Sequence, residues 1–176
     1  TLRVTGAMYL QLDFGKMWKP LEGLSYRFNF GPDFTFADRG LFVDAKSFNR
    51  AGANYALNAK TQKFSWTLDN LIYYNRSFGK HTVGVTLLQT ASAYDYRAMS
   101  MDAENLPIPA ALWNNMGSVA ALRTYSTSPT QSQMESDMAR VNYSFADRYM
   151  ITASVRADGA SQLAEGHKWA TFPSVA

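Results

Sequence analysis

Polar and apolar residues alternate one by one along much of this chain. In Ala139–Asp158, Ala139, Val141, Tyr143 and Phe145 alternate with Arg140, Asn142 and Ser144. After a tight turn near Ala146-Asp147, Tyr149, Ile151, Ala153, Val155 and Ala157 alternate with Thr152, Ser154, Arg156 and Asp158. A period of two sends successive side chains to opposite faces of a strand. Two strands of roughly ten residues, apolar on one side and charged on the other, have the make-up of a membrane β-barrel with lipid outside and water inside.

The same pattern predicts strands over 2–14, 24–36, 63–76 and 81–97, and then 136–146 and 148–158. Met8, Leu10, Leu12 and Phe14 define the apolar face of the first, and Leu24, Tyr26, Phe28 and Phe30 that of the second. Phe64, Trp66, Leu68, Ile72 and Tyr74 define the third, and Val83, Val85 and Leu87 the fourth. Arg3, Asp13, Arg27, Asp33, Lys63, Asp69, Arg140, Arg156 and Asp158 all keep to the polar parity. That segregation is required if the apolar face meets lipid, where a mid-bilayer Arg or Lys costs roughly 2–4 kcal/mol. Asn70 and Gln89 are exceptions on the apolar parity. Tyr94 and Tyr96 break the parity of Val83–Leu87, which a bulge or a strand end outside the bilayer would explain. Arg156 and Asp158 share the polar face and are expected to pair.

Connections alternate in length. Gly15–Gly23, Ser77–Lys80 and Ala146-Asp147 are short, whereas 37–62, 98–135 and 159–170 are long. Long loops at one end and short turns at the other are the outer and periplasmic ends of an outer-membrane barrel. Phe14, Trp18, Tyr26, Tyr73, Phe78, Phe145 and Tyr149 are placed in one interfacial girdle, and Phe34, Phe36, Phe64, Trp66, Tyr94 and Tyr96 in the other. The fold class is thus all-β: an antiparallel transmembrane barrel, present as about six to seven strands. A soluble antiparallel sheet also alternates when one face is packed on a core. Soluble strands average about 5–6 residues, half the length read here.

Composition narrows the function. Hydrophobic residues make up 47% and charged residues 18%, against disorder, and no apolar run approaches the ~18 residues of a spanning helix. There is no cysteine, so disulfides, thiolate metal sites and cysteine nucleophiles are excluded. The net charge of +3 is spread along the chain, so no nucleic-acid partner is expected. No signal peptide is recognisable: Thr1–Thr5 already reads as strand, and Thr171–Ala176 stops as another strand begins, which suggests an excerpt of a longer chain.

Chemical motifs are sparse. The strand map puts His81 beside a short turn and His167 in an outer loop, so they do not share a metal. Asp95, Asp102, Glu104 and Asn105 offer oxygen ligands, but their spacing fits no calcium loop. No nucleotide, zinc-protease or hydrolase motif occurs, and no Ser–His pair is brought together at a strand end. Catalytic residues, cofactors and metals are therefore not expected. Trp113, Tyr125 and Trp169, in the outer loops, are candidate ligand-stacking residues, because recognition concentrates in loops held on a scaffold. The alternative for these aromatics is packing of the loops on one another. Pro107, Pro109 and Pro129 are expected to stiffen a lid-like loop.

Three segments carry a family resemblance: Arg140–Phe145, Asp147–Gly159 and Phe172–Ala176, with Tyr74–His81 adding a strand–turn–strand. They resemble the C-terminal barrel half of the SusC/RagA family, TonB-dependent outer-membrane transporters of Bacteroidota. Ala160 and Gln162-Leu163 depart from that pattern, where Ser and Arg-Phe are expected. The resemblance implies a barrel of about 22 strands closed by an N-terminal plug that is absent from 1–176. It further implies membrane lipid around the wall, a SusD-like surface lipoprotein over the loops, TonB as the energy source, and a glycan or peptide ligand. A soluble all-β carbohydrate-binding module is the competing reading.

Overall fold

The computed structural model describes residues 1–50, 52–119 and 121–176. Eight strands form one sheet: β1 (Leu2–Thr5), β2 (Met8–Asp13), β3 (Leu24–Val43), β4 (Tyr55–Phe78), β5 (His81–Glu104), β6 (Thr124–Phe145), β7 (Tyr149–Ala160) and β8 (Trp169–Val175). The order is β1-β3-β4-β5-β6-β7-β8, and β2 also pairs with β3. The first expected strand is therefore split in two. The break falls at Gly6-Ala7, where the Gly6 N–H donates to the Pro32 carbonyl at 3.0 Å. The sheet is seven strands wide, with β1 and β2 sharing one side of β3.

Strand boundaries differ from the alternation-based ones in one direction. β3 runs to Val43 rather than 36, β4 starts at Tyr55 rather than 63, β5 reaches Glu104 rather than 97, and β6 starts at Thr124 rather than 136. The connections shrink to 44–54, 105–123 and 161–168, so 37–62, 98–135 and 159–170 are corrected accordingly. Pro129 lies within β6 rather than in a lid. The physical reason is visible in Thr124–Gln133, where, Tyr125 apart, both faces are Ser, Thr, Gln and Pro. Hydrogen-bonded ladders continue beyond a membrane, but the apolar parity that marks a strand does not. At the other end Phe14 leaves the strand and opens the short helix α1 (Phe14–Met17).

Register confirms which residues share a face. Across β6 and β7, Val141 faces Ala153, Tyr143 faces Ile151 and Ala139 faces Val155, while Arg140 faces Ser154 and Asn142 faces Thr152. Across β2 and β3, Leu10 faces Phe28 and Met8 faces Phe30, while Gln11 faces Arg27. A one-residue slip would exchange the two faces. Ala146 and Asp147, both with left-handed backbone angles, close β6–β7 in a tight turn that suits the twist of the flanking strands. Gly23 also has positive φ, and a Cβ there would lie 2.0 Å from the Asn75 carbonyl oxygen.

The residues fall into two compact units. One comprises 1–4, 33–64 and 95–131. It holds a small apolar cluster of Ala56, Ala103, Leu106 and Met116, flanked by Phe42, Met101, Trp113 and Val119. The other comprises 5–32, 65–94 and 132–176 and, among the described residues, buries no large apolar side chain. Ile72, Leu87, Val141, Ile151 and Val155 all remain well exposed on one face.

Candidate functional site

The sheet itself is the functional surface, and its two faces differ chemically. On the polar face of β3–β5 a hydrogen-bonded ladder forms. Thr90 Oγ1 donates to Asp69 Oδ1 at 2.8 Å, Asn29 Nδ2 donates to Asp69 Oδ2 at 3.4 Å, and Arg27 Nε donates to Asn29 Oδ1 at 2.9 Å. The Arg27 guanidinium also sits 4.6 Å from the Tyr9 ring centre. In β7, Arg156 Nε donates to Asp158 Oδ1 at 2.8 Å, and the Arg156 guanidinium reaches the buried Ser136 hydroxyl at 3.4 Å. Thr152 donates to Asn142 at 2.9 Å. The expected Arg156–Asp158 pair is present, and these groups make a water-compatible, internally satisfied wall.

The opposite face is apolar and carries few polar exceptions. Four polar groups form a chain on it. Tyr26 Oη donates to Asn70 Oδ1 at 2.7 Å, Asn70 Nδ2 to Gln89 Oε1 at 3.3 Å, and Gln89 Nε2 to Glu135 Oε1 at 3.2 Å. Asn70 and Gln89, anomalous by parity, thus satisfy each other across adjacent strands, as polar groups in an apolar setting must. Pairwise contact across strands is invisible to a one-dimensional pattern.

Aromatics mark both ends of this face. At the short-turn end His81 Nδ1 lies 2.7 Å from Tyr143 Oη, and its ring packs 4.9 Å from Phe145. At the other end Phe34 stacks on Phe64 at 4.3 Å, and Phe30 lies 6.4 Å from Trp66. Tyr94 and Tyr96 do not join that girdle. Because β5 is continuous, they keep the polar parity, and Tyr96 sits 5.7 Å from Lys63 Nζ, another polar-face residue. The parity change needs no bulge. Asp95 and Arg97 instead take the apolar parity, where they pair at 3.1 Å, and Gln131 donates to Asp95 at 2.7 Å. This is the charged border above the girdle.

In the loops, Asn54 is buried. Its Nδ2 donates to the Leu106 carbonyl at 3.0 Å, and its Oδ1 accepts from the Leu106 N–H at 2.6 Å. Glu104 accepts from Arg50 and, at 2.8 Å, from Arg123, whose Nε lies 3.9 Å from Asp102. The hydrogen bond from Arg50 holds the Glu104 carboxyl below its usual range, with the Arg123 charge assisting and desolvation opposing. The oxygen-rich set Asp95, Asp102 and Glu104 is thus engaged with guanidinium groups. Among the described residues no cluster of three or more His, Cys, Asp or Glu side chains has metal-binding geometry.

The three candidate ligand aromatics have different settings. Trp113 lies flat on Gly40, with ring atoms 2.1–2.4 Å from where a Cβ would be, and its carbonyl accepts from Asn58 Nδ2 at 3.2 Å. It packs the loop cluster. Tyr125 is 73% exposed at the start of β6. Trp169 faces Gly159 in the β7–β8 register and covers it, on the same face as Val155 and Ala157. The Gly159–Trp169 contact was not legible from the sequence, because Trp169 falls outside the alternating runs.

No protein-family model matches the chain. It is 28% identical over 166 residues to TonB-dependent receptor P26 of Formosa agariphila, covering 90% of this chain and 17% of that receptor. A stretch of 57 residues is 39% identical to TonB-dependent receptor SusC of Bacteroides thetaiotaomicron, covering 32% of this chain and 6% of that protein. The fold superposes on the solved RagAB peptide transporter with a TM-score of 0.85 and 18% identity, over 98% of this chain and 19% of that one. The chain therefore spans less than a fifth of the length of these proteins.

Proposed function

We propose that this chain is part of a SusC/RagA-like TonB-dependent receptor, a β-barrel of the outer membrane, and that the whole protein takes up oligosaccharides or other large nutrients. These strands supply part of its wall and their connections part of its outer loops. One observation carries the reading. Val141, Ile151 and Val155 stand exposed in register on one face, while Arg140, Asn142 and Arg156 occupy the other. Burying one such aliphatic side chain is worth about 1.5–3 kcal/mol, and in this arrangement hydrocarbon provides the burial.

A soluble carbohydrate-binding module would have to enclose that face in a core. The only apolar cluster among the described residues is instead in the loop-bearing unit. The polar face lines the path of the cargo, and the Asp69 ladder and the Arg156–Asp158 pair hold its side chains in place. A SusD-like lipoprotein caps the loops, and TonB drives release through a plug encoded elsewhere in the whole protein. Of the three candidate aromatics, Tyr125 stacks on a sugar ring or peptide side chain, a reading supported by its exposure. Trp113 and Trp169 act through packing.

The test is uptake of fluorescent oligosaccharide and peptide pools by cells with and without the full-length receptor. One pool should accumulate only with the receptor present and a proton-motive force intact. Equal accumulation after the force is collapsed would remove the TonB-dependent reading. Accumulation of neither pool would remove the large-nutrient reading.

A further inference from the structure

The polar face of the second unit carries a cavity of about 330 Å³ that its hydrogen-bonded ladder leaves open. Ser65, Thr67, Ser92, Tyr94, Ser132 and Gln162 line it, above a floor that includes Met134 and Ala160. All of these keep the parity of Asp69, Thr90, Ser136 and Asp158 on their strands, with Gln162 just past the end of β7.

Register assembles them into two rows. The Asp69–Thr90 and Ser77–Thr82 hydrogen bonds align β4 with β5, which sets Thr67 opposite Ser92 and Ser65 opposite Tyr94. The Asp95–Gln131 bond and the bond from the Ala146 N–H to the Lys80 carbonyl align β5 with β6. Ser92 is thereby opposite Met134, and Tyr94 opposite Ser132. Met134 in turn faces Ala160 across β6–β7, and Gln162 follows two positions on. Trp66 lies between Ser65 and Thr67, and Asp95 follows Tyr94, so the cavity is level with the outer girdle but on the opposite face of the sheet.

The neighbouring row toward the short turns is saturated. Asp69 accepts from Thr90 and Asn29, and Ser136 and Asp158 both accept from Arg156. The cavity differs. Among the described residues, the side chains of Ser65, Thr67, Ser92, Ser132 and Gln162 make no hydrogen bond. The Tyr94 ring stands beside them, 36% exposed. No charged side chain belongs to the lining. Lys168, whose carbonyl accepts from the Ala160 N–H at 3.0 Å, borders the floor from outside it.

We propose that this cavity is a subsite for part of a neutral oligosaccharide entering the barrel. The inference rests on the transporter reading above and narrows its cargo. Sugar hydroxyls donate and accept at once, and so do the unpaired Ser, Thr and Gln groups that face them. The C–H face of a pyranose lies on Tyr94, whose ring face is negative and attracts those hydrogens. Met134 and Ala160 cover the remaining apolar edge. A uronate, a sulfate or a peptide terminus would lose hydration against a lining that returns no counter-charge. The volume sits at the lower end of the range for small-ligand pockets, about 300–1,000 Å³, which suits one segment of a chain and not a whole one.

The test uses the full-length receptor in mild detergent and native mass spectrometry of its adducts. The probes are hexasaccharides of α-glucan, β-glucan and β-mannan, hexamers of alginate and polygalacturonate, and a decapeptide pool. A neutral hexasaccharide should bind saturably, and more tightly than either acidic hexamer or any peptide. Tyr94→Ala, which removes the ring, and Ala160→Trp, which fills the cavity, should each weaken that binding by about tenfold or more. Tyr94→Phe should retain most of it, and Lys168→Gln should leave it unchanged. Heat-modifiable gel mobility verifies that each barrel is folded. Preference for an acidic hexamer or a peptide, no neutral adduct, or equal binding by the receptor and its Tyr94→Ala and Ala160→Trp variants would each overturn the subsite. Cellular uptake separates this inference from its premise. Uptake that needs a proton-motive force and is unaltered in Ala160→Trp overturns the subsite alone, whereas uptake of none of the probes removes the transporter reading as well.

Discussion

The Asn54 side chain pairs with the Leu106 backbone as another strand would, donating to its carbonyl and accepting from its N–H. The Asn105 N–H adds a third bond, to the Asn54 carbonyl at 3.1 Å. One buried amide thereby joins the connection between β3 and β4 to the one that follows β5. The apolar cluster of Ala56, Ala103, Leu106 and Met116 forms around it. Order in these outer loops comes from a polar clasp set in a small core.

Removing that clasp leaves the Leu106 N–H and carbonyl without their partner in a buried setting. Asn54→Ala should therefore destabilise the loop cluster by about 1–3 kcal/mol, the usual range for a buried group left unsatisfied. Hydrogen exchange of the amides of 103–119 in the full-length receptor should accelerate, while exchange in Val141–Phe145 stays as it was. Unchanged exchange near Leu106 would mean that the clasp does not hold the loops.

The two faces of β6 give a sharper contrast. Val141→Arg places a cation against hydrocarbon and should cost roughly 2–4 kcal/mol if the site is near mid-bilayer. Asn142→Arg, one position along, enters the polar face beside Thr152 and should cost well under half of that. Reversible denaturant unfolding of the full-length receptor in vesicles measures both. Equal losses would refute the assignment of faces.

Much of this wall was legible in the sequence, because a barrel strand must satisfy two solvents at once. Val141 and Arg140 carry that requirement in their order, and the β6–β7 register pairs them as the alternation demands. What was not legible lies where the constraint lapses. Beyond the membrane both faces of Thr124–Gln133 are wet, so the strand continues without its pattern. The Tyr26–Asn70–Gln89–Glu135 chain depends on which strands are neighbours, and parity alone registers its members only as anomalies. The seat of Trp113 on Gly40 was not legible either, because nothing local reveals a contact between residues so distant in sequence.

Glu104 makes the loop cluster sensitive to acid. Its carboxyl titrates below the ordinary value in the folded loops, chiefly because Arg50 donates to the charged form. A depressed folded pKa contributes stability that is complete above the unfolded value, about 4.3, and disappears as pH falls through the lowered one. A nitroxide attached at position 118 should gain mobility as pH drops below the ordinary carboxylate range. Glu104→Gln should flatten that dependence and leave the loops more mobile at neutral pH. An unchanged acid transition in Glu104→Gln would assign the effect to another group.

Gly40 provides a test in which shape alone decides. Its absent side chain leaves room for the Trp113 ring, and a Cβ would meet three ring atoms at 2.1–2.4 Å. No rotation of a methyl group relieves that overlap, so Gly40→Ala must move the indole or the backbone of β3. Overpacking of this kind typically costs about 1–3 kcal/mol. Gly117 lies in the same unit and has no atom within 4 Å of its would-be Cβ, so Gly117→Ala serves as the neutral control. Limited proteolysis of the full-length receptor should cut within 105–123 several-fold faster in Gly40→Ala and at the original rate in Gly117→Ala. Combining Gly40→Ala with Trp113→Ala removes the overlap together with the ring. The double variant should therefore lose less than the two single losses added, because the clash and the contact are one interaction. Strict additivity would show that Trp113 does not rest on Gly40.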